Sequence, residues 1–483
     1  MIAVQIKKLI ASSGVSFGTS GARGLVEQFS DDVCAAFTVA FLHVMREHGD
    51  VQQVAIGMDR RPSSPRMAAA CTAAARAMGV EVSDYGILPT PALALQAMAH
   101  GVPAIMMTGS HIPFDRNGIK FYRPQGEITK ADEQAILNVG VELPTLGQVT
   151  RNSESDAANQ RYIMRFTNWF EGKPLTGMRV GLYQHSAAGR DLSQQVLEAL
   201  GASVIPLGRS EQFVPVDTEA VSEEDRAKAS SWSIEHSLDA ILTTDGDGDR
   251  PLLADEHGQW LRGDILGLLC AQALGIQALA IPVSCNTAIE ECGIFEQVIR
   301  TRIGSPYVLA GMEALAGEYH QVAGFEANGG FLLGSSLKKG NCHLDPLPTR
   351  DALLPALTLL VAAAGQNQPL SALVNALPLR FTASDRLKEF PTELSATLLS
   401  QWKNDLLGMR NGLALEADIT HVDSTDGLRV TLKNGDIIHL RPSGNAPELR
   451  CYAESDTSEQ AALLAEKSLA ACAFFLKSDP GRL

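Results

Sequence analysis

The stretch Val54–Gly86, "VAIGMDRRPSSPRMAAACTAAARAMGVEVSDYG", constrains the fold most. A short apolar run ends at a Pro-Ser turn, an alanine-rich segment of helical length follows, and a second short run begins at Val80. The order strand, turn, helix, strand predicts a unit in which a helix covers a sheet. The same grammar returns in Met178–Gly208 and again in Gly263–Asn286, so three α/β units are expected. The last part of the chain differs. Helical "TELSATLLSQWKNDLLG" precedes the alternating run Leu428–Ser455, in which Asn434-Gly435 is a two-residue hairpin signal, and the C-terminal domain reads as α+β. Polar or turn-rich seams fall at Val141–Asp156, just after Asp255, and at Gly365–Leu373. The expected domains are therefore 1–147, 148–255, 256–368 and 369–483, a division that 483 residues accommodate.

Composition narrows the function. With 45% hydrophobic and 20% charged residues, the chain has ample material for buried cores. Lys+Arg 40 against Asp+Glu 55 gives a net charge of −15, which argues against a nucleic-acid or anionic-membrane surface and requires a local cationic pocket for any anionic substrate. The eight cysteines are scattered without CxxC pairs, the pattern of reduced core thiols. The N-terminal "MIAVQIKKLIASSG" carries lysines inside its short apolar stretch, and no run of about 18 apolar residues occurs. A cytoplasmic protein is expected.

Four stretches carry candidate chemistry. In "TGSHIPFDRNGIKFY", Thr108–Tyr122, Ser110 follows the apolar run "VPAIMM" and so sits where a strand ends, a usual place for reactive groups in α/β folds. A turn or helix-capping serine is the plainer reading, and Ser110-His111 also invites a serine hydrolase, although the G-x-S-x-G elbow is missing. In "TTDGDGDRPLLADE", Asp245, Asp247 and Asp249 repel one another unless a cation is present, and hard oxygen ligands suit Mg²⁺ or Ca²⁺. A calcium loop would place Asp245, Asp247, Asp249 and Glu256 at positions 1, 3, 5 and 12, but Arg250 stands where that loop needs glycine, and both flanks read as strands. "RPSGNAPELR", Arg441–Arg450, offers guanidinium forks, Ser443, Asn445 and backbone N–H groups to a phosphate, or is plain turn chemistry. "GFEANGGFLLGSS" sets Glu326 and Asn328 in a polar loop able to bind vicinal hydroxyls, or is simply a glycine-rich hairpin.

Taken in order with "FGTSGARG" (Phe17–Gly24) and "TRIGSPY" (Thr301–Tyr307), these stretches resemble the α-D-phosphohexomutase superfamily over nearly the whole chain. The resemblance implies three α/β domains and a C-terminal α+β domain around a central cleft. It implies a phosphoserine at Ser110, Mg²⁺ held by that residue with Asp245, Asp247 and Asp249, and a hexose 1,6-bisphosphate activator. By the same likeness Arg23 and His111 lie near the phosphoserine, Lys120 is a candidate for proton transfer, and Arg250 and Arg302 lie near the substrate. Glu326 and Asn328 would contact sugar hydroxyls, while Arg441, Ser443, Gly444, Asn445 and Arg450 would grip the substrate phosphate. The chain departs from the common patterns at Ile112, at Arg302 and Ser305 where relatives often carry lysine and histidine, and at Asn445-Ala446. The implied activity interconverts hexose 6-phosphate and hexose 1-phosphate, with mannose phosphate leading. Glu326-Ala327-Asn328-Gly329 is similar to the loop of phosphoacetylglucosamine mutases, which keeps phosphoglucosamine or phosphoacetylglucosamine as the alternative. The partners implied are small-molecule hexose phosphates, with no nucleic acid, membrane or obligate protein partner. A serine hydrolase and a calcium-binding module remain as readings from other classes.

Overall fold

A computed structural model describes residues 5–18, 21–443 and 447–478, the side chains of 475–478 excepted. The first sheet runs Ser16–Phe17, Ala22–Leu25, Arg116–Arg123, Ala104–Met107, Gln53–Met58, Glu81–Ile87, with Gly126–Glu127 paired to Arg116–Arg123. Gln53–Met58 is parallel to both Glu81–Ile87 and Ala104–Met107, Ala55 lying opposite Ser83 and Ala104. The crossovers are helices Ser64–Ala77 and Thr90–His100, whose alanines allow close packing on strands that are apolar on both faces. Arg116–Arg123 then folds back antiparallel, setting Lys120 opposite Met106, and Ala22–Leu25 pairs with it so that Arg23 faces Gly118.

The second sheet is ordered Pro251–Ala254, Ala240–Thr244, Arg179–Tyr183, Ser203–Leu207. Its first pair is antiparallel and the others are parallel. The third runs Gln297–Thr301, Ala278–Pro282, Val322–Phe325, Phe331–Leu333, Leu347–Asp351, parallel at its start and antiparallel from Val322–Phe325 onward. The fourth sheet is wholly antiparallel: Phe381–Leu387, Leu449–Ser455, Ile437–Pro442, Leu428–Leu432, Ile419–Asp423. Helices Thr392–Asn404, Leu406–Gly412 and Ser458–Ser478 complete this α+β domain.

One expectation needs correction here. The Asn434-Gly435 turn is not a two-residue hairpin. Leu432 donates its N–H to the Asp436 carbonyl, and only Gly435 has positive φ, +89°, so the loop is Lys433–Gly435 with glycine in the left-handed position. Asn434 bonds Asp436 through its side chain and never adopts the positive φ that a two-residue turn of that kind demands.

One apolar cluster runs from Ala55 through Tyr162, Leu242 and Phe325 to Leu370, so the first three sheets share a core. The C-terminal domain has its own, from Phe390 to Cys472. The seam between them is polar: Asn286 Nδ2 donates to the Arg380 carbonyl at 2.9 Å, and Ile303 N–H to Asp426 Oδ2 at 2.9 Å. The cysteines are free thiols, all buried except half-buried Cys292. Among the described residues no helix is long and apolar enough to cross a membrane.

Candidate active site

Strand Ala104–Met107 delivers the chain to Ser110 at its carboxyl end, where ligands bind in open α/β sheets. Ser110 is 2% exposed and has φ +53°, a left-handed conformation that costs a non-glycine residue roughly 1 kcal/mol or more. Its neighbours hold it there. Ser110 N–H donates to Thr108 Oγ1 at 2.8 Å, and Arg61 reaches in from the turn after Gln53–Met58. The Arg61 guanidinium, 1% exposed, bonds four carbonyls of the loop: Ser110 at 2.9 Å, Ile112 at 2.6 Å, Pro113 at 2.8 Å and Arg116 at 2.9 Å. Asp59 pairs with Arg61 at 3.3 Å, and the Phe213 ring covers it at 4.0 Å.

The Ser110 hydroxyl donates to Asp245 Oδ2 at 2.5 Å. Asp245, Asp247 and Asp249 fill the tight loop between antiparallel strands Ala240–Thr244 and Pro251–Ala254, and all three are fully buried. One oxygen of each lies within 4.8 Å of the others. Burial, then Asp247 and Asp249, push the Asp245 carboxyl well above the usual carboxylate range. Burial and Asp249 also oppose ionisation of Asp247, but Lys120 and Thr90 outweigh them. Asp249 is held low against burial by Arg350, Lys120 and Arg250. Lys120 Nζ bridges Asp247 and Asp249 at 2.6 Å each, and Thr90 Oγ1 donates to Asp247 Oδ2 at 2.6 Å. Asp247 Oδ1 and Asp249 Oδ1 are nevertheless buried without a hydrogen-bond partner. Two orphaned carboxylate oxygens beside a third carboxyl fit a hard divalent cation. The flanking strands exclude the helix-loop-helix of a calcium loop.

Arg250 Nη1 donates to His111 Nδ1 at 2.8 Å, and His111 lies 3.4 Å from Ser110 Oγ. Burial first, then Arg250, brings the imidazole down to about 3, so His111 is a neutral acceptor that steers Arg250 toward the serine. A serine whose hydroxyl goes to a carboxylate, beside a histidine engaged by an arginine, is not a hydrolase pair. Arg23 closes the far side, bonded to the Thr108 carbonyl; burial, opposed by Asp247 and reinforced by Arg61 and Arg250, lowers it to about 10. Lys120 sits between two carboxylates, a geometry that suits charge neutralisation.

Glu326 and Asn328 occupy the hairpin loop between Val322–Phe325 and Phe331–Leu333, as the hairpin reading expects. Asn328 spends its amide oxygen on Gly330 N–H at 3.0 Å, leaving its NH₂ to offer, and Thr218 Oγ1 fixes its carbonyl at 3.0 Å. Arg302 is exposed, with its guanidinium 5.6 Å from the Tyr307 ring centroid. In the fourth domain Arg441 pairs with Asp426 at 3.0 Å, Ser443 N–H donates to the Glu448 carbonyl at 2.8 Å, and Arg450 lies 3.7 Å from Glu448. Arg450 is close enough to depress the His111 imidazole. Gly444 and Asn445, and Thr19-Ser20 of the first motif, lie outside the described residues.

Asp59, Arg61, Thr90, Phe213, Thr218 and Arg350 escaped the sequence reading. The polar "DRRPSSPR" directly after a strand was an available signal for Arg61; a lone arginine in "PLPTRDALL" gave none for Arg350. Arg61→Lys keeps the charge and loses most of the carbonyl fork. It is expected to lower unfolding free energy by about 2 kcal/mol and kcat by roughly tenfold or more through misplacement of Ser110, with KM little changed. Urea unfolding and steady-state kinetics read the two effects, and an unchanged kcat would remove the loop-holding role.

Four families match the chain in order: phosphoglucomutase/phosphomannomutase alpha/beta/alpha domain I over residues 14–140, domain II over 160–258, domain III over 262–381, and the C-terminal domain over 400–471. A phosphomannomutase of Salmonella muenchen is 52% identical over 477 residues, 98% of each chain. Another, of Sinorhizobium fredii, is 44% identical over 467 residues, 95% of this chain and 98% of that one. A phosphoglucosamine mutase of Desulforudis audaxviator is 30% identical over 380 residues, 74% of this chain and 80% of the other. Among solved structures, a phosphoglucomutase/phosphomannomutase family protein of Burkholderia thailandensis superposes with TM-score 0.75 at 20% identity, covering 97% of this chain and 98% of that one. An Aspergillus fumigatus N-acetylphosphoglucosamine mutase solved with GlcNAc-6P and magnesium has TM-score 0.60 at 13% identity, covering 96% and 98%.

Proposed function

Because the chain belongs to the phosphoglucomutase/phosphomannomutase family, we propose that it interconverts hexose 6-phosphate and hexose 1-phosphate with Ser110 as the phosphoryl carrier and mannose phosphate as the leading substrate. The observation that carries the reading is the contact of a buried, strained Ser110 hydroxyl with the Asp245 carboxyl, amid a balanced set of charges. Arg23, Arg61, Lys120, Arg250 and Arg350 lie among Asp59, Asp245, Asp247, Asp249 and Glu326, so cations and carboxylates are interleaved around the serine. A phosphoserine adds nearly two negative charges and a divalent cation adds two positive ones, so the two together leave the net charge of the site nearly unchanged.

Asp245, Asp247 and Asp249, with the phosphoserine, would hold Mg²⁺, which when bound supplies positive charge against the transferring phosphoryl oxygens. Arg61 holds the Ser110 loop, and Arg250, steered by His111, supplies a fork toward the phosphoryl group. The P–O bond to Ser110 breaks as a sugar hydroxyl takes the phosphoryl group, and the hydroxyl's proton passes to Ser110 Oγ, giving a hexose 1,6-bisphosphate. The sugar turns around, the other phosphoryl group returns to Ser110 Oγ, and the Ser110 proton passes to the sugar oxygen that group leaves. Lys120, bonded to Asp247 and Asp249, is the candidate to relay that proton each way. Glu326 and the Asn328 NH₂ bind sugar hydroxyls, and Arg441, Ser443 and Arg450 grip the phosphate not in transfer. Its separate core and polar seam let the C-terminal domain close over either orientation and exclude water.

The 52% and 44% identical phosphomannomutases support mannose ahead of the 30% identical phosphoglucosamine mutase, while the Glu326-Ala327-Asn328-Gly329 loop favours hexosamine as the second reading. A coupled assay across mannose, glucose, glucosamine and N-acetylglucosamine 1-phosphates, with Mg²⁺ and the matching bisphosphate, decides: mannose 1-phosphate is expected to give the highest kcat/KM. Glu326 is assigned to hydroxyls at C3 and C4, which mannose and glucose share. Glu326→Gln should therefore lower kcat/KM for both sugars by roughly tenfold, leaving their ratio nearly constant. Loss of one sugar alone would place the discriminating contact at Glu326 instead.

A further inference from the structure

Arg350 lies on strand Leu347–Asp351 and is 1% exposed, yet its guanidinium bonds polar groups of other elements. Nε and Nη2 reach Asp249 Oδ2 at 3.0 and 2.9 Å. Nη1 reaches Glu326 Oε2 at 3.0 Å and Ser305 Oγ at 3.2 Å. Ser305 in turn donates to Glu127 Oε2 at 2.6 Å, and Thr349 to Glu127 Oε1 at 2.9 Å, so the first, second and third sheets meet at this one guanidinium. The sugar loop rests directly on its stem: a Cβ on Gly330 would fall 2.5 Å from Arg350 Cδ.

We propose that Arg350 is a positioning residue that links cation binding at Asp249 to sugar binding at Glu326, so that each ligand tightens the other. The inference rests on the functional reading above and assigns Arg350 no contact with substrate. Asp249 Oδ2 is occupied by Arg350 and by Lys120, which leaves Oδ1, buried without a hydrogen-bond partner and 3.8 Å from Arg250 Nε, to a cation. Glu326 Oε2 is occupied likewise, leaving its other oxygen for a hydroxyl. A guanidinium is planar and rigid, so the two carboxylates share one orientation, and a ligand that fixes one of them has already ordered the other. The linkage is reciprocal by thermodynamic necessity.

Dephosphorylated enzyme without bisphosphate turns nothing over, so the linkage is readable by calorimetry with Mg²⁺ and mannose 1-phosphate. In the wild type, mannose 1-phosphate should tighten Mg²⁺ binding by roughly tenfold. Arg350→Lys, which keeps the charge and loses the fork, should weaken Mg²⁺ roughly 10- to 100-fold and bring the coupling factor close to one. Glu326→Gln should abolish the coupling too. In the double variant, sugar affinity should fall no further than in Glu326→Gln alone. Coupling that survives in Arg350→Lys would show that direct attraction between phosphate and cation carries it, and would overturn the proposal. Should a thermal scan show Arg350→Lys to be unfolded, undiminished coupling in Glu326→Gln overturns it equally. Wild-type enzyme without mutase turnover would sink the functional reading instead, a separate result.

Discussion

Ser110→Ala is expected to lower turnover of hexose 1-phosphate by more than about 10³-fold while leaving the fold intact. The hydroxyl makes one short bond to Asp245 Oδ2 and contributes nothing to the four carbonyl bonds by which Arg61 holds the loop. Alanine at φ +53° keeps the same backbone strain as serine, so the thermal midpoint should move by only a few degrees. What disappears is the oxygen proposed to carry the phosphoryl group between two orientations of the sugar. Turnover within tenfold of the wild type would mean that the carrier lies elsewhere.

Removal of divalent cations is expected to abolish activity and added Mg²⁺ to restore it, and Asp245→Asn should imitate the metal-free enzyme permanently. Three carboxylates buried within one turn repel each other, and Lys120, Arg250 and Arg350 serve Asp247 and Asp249 more directly than Asp245. Asparagine at 245 can turn its oxygen to the N–H groups of Asp249 and Arg250, which now donate to Asp245 Oδ1 at 3.2 and 3.3 Å, and its NH₂ to Ser110 Oγ. The metal-free variant should therefore be as stable as the wild type or more so, while turnover falls roughly 10³-fold and calorimetry detects no Mg²⁺ binding at millimolar concentration. Stability lost together with activity would identify Asp245 as structural. Activity persisting in excess chelator would show that the loop is no catalytic metal site.

The sequence announced the parts whose chemistry is local. Asp245, Asp247 and Asp249 lie within five residues, and their mutual repulsion is legible without coordinates. The strand-helix grammar of Val54–Gly86 gave two parallel strands and their crossover because the pattern is short-range. Arg350 was not legible, and Arg61 only as one member of the polar run "DRRPSSPR", since they act across 101 and 49 residues of chain, on Asp249 and Ser110 respectively. An arginine predicted as a turn or strand residue is indistinguishable from a surface one until the fold buries it. The Asn434-Gly435 turn was misread for a different reason: the asparagine side chain bonds Asp436 and favours a three-residue loop over the two-residue one. Arg302, named by position in "TRIGSPY", remained on the surface beside Tyr307.

The central claim is that Ser110 shuttles a phosphoryl group. Intact-mass measurement of the dephosphorylated enzyme after exposure to mannose 1,6-bisphosphate and Mg²⁺, with peptide mapping, tests it most directly. The account predicts one added phosphate on the peptide that carries Ser110, discharged on addition of mannose 1-phosphate and missing from Ser110→Ala. Phosphate on another residue, or equal uptake by Ser110→Ala, would contradict it.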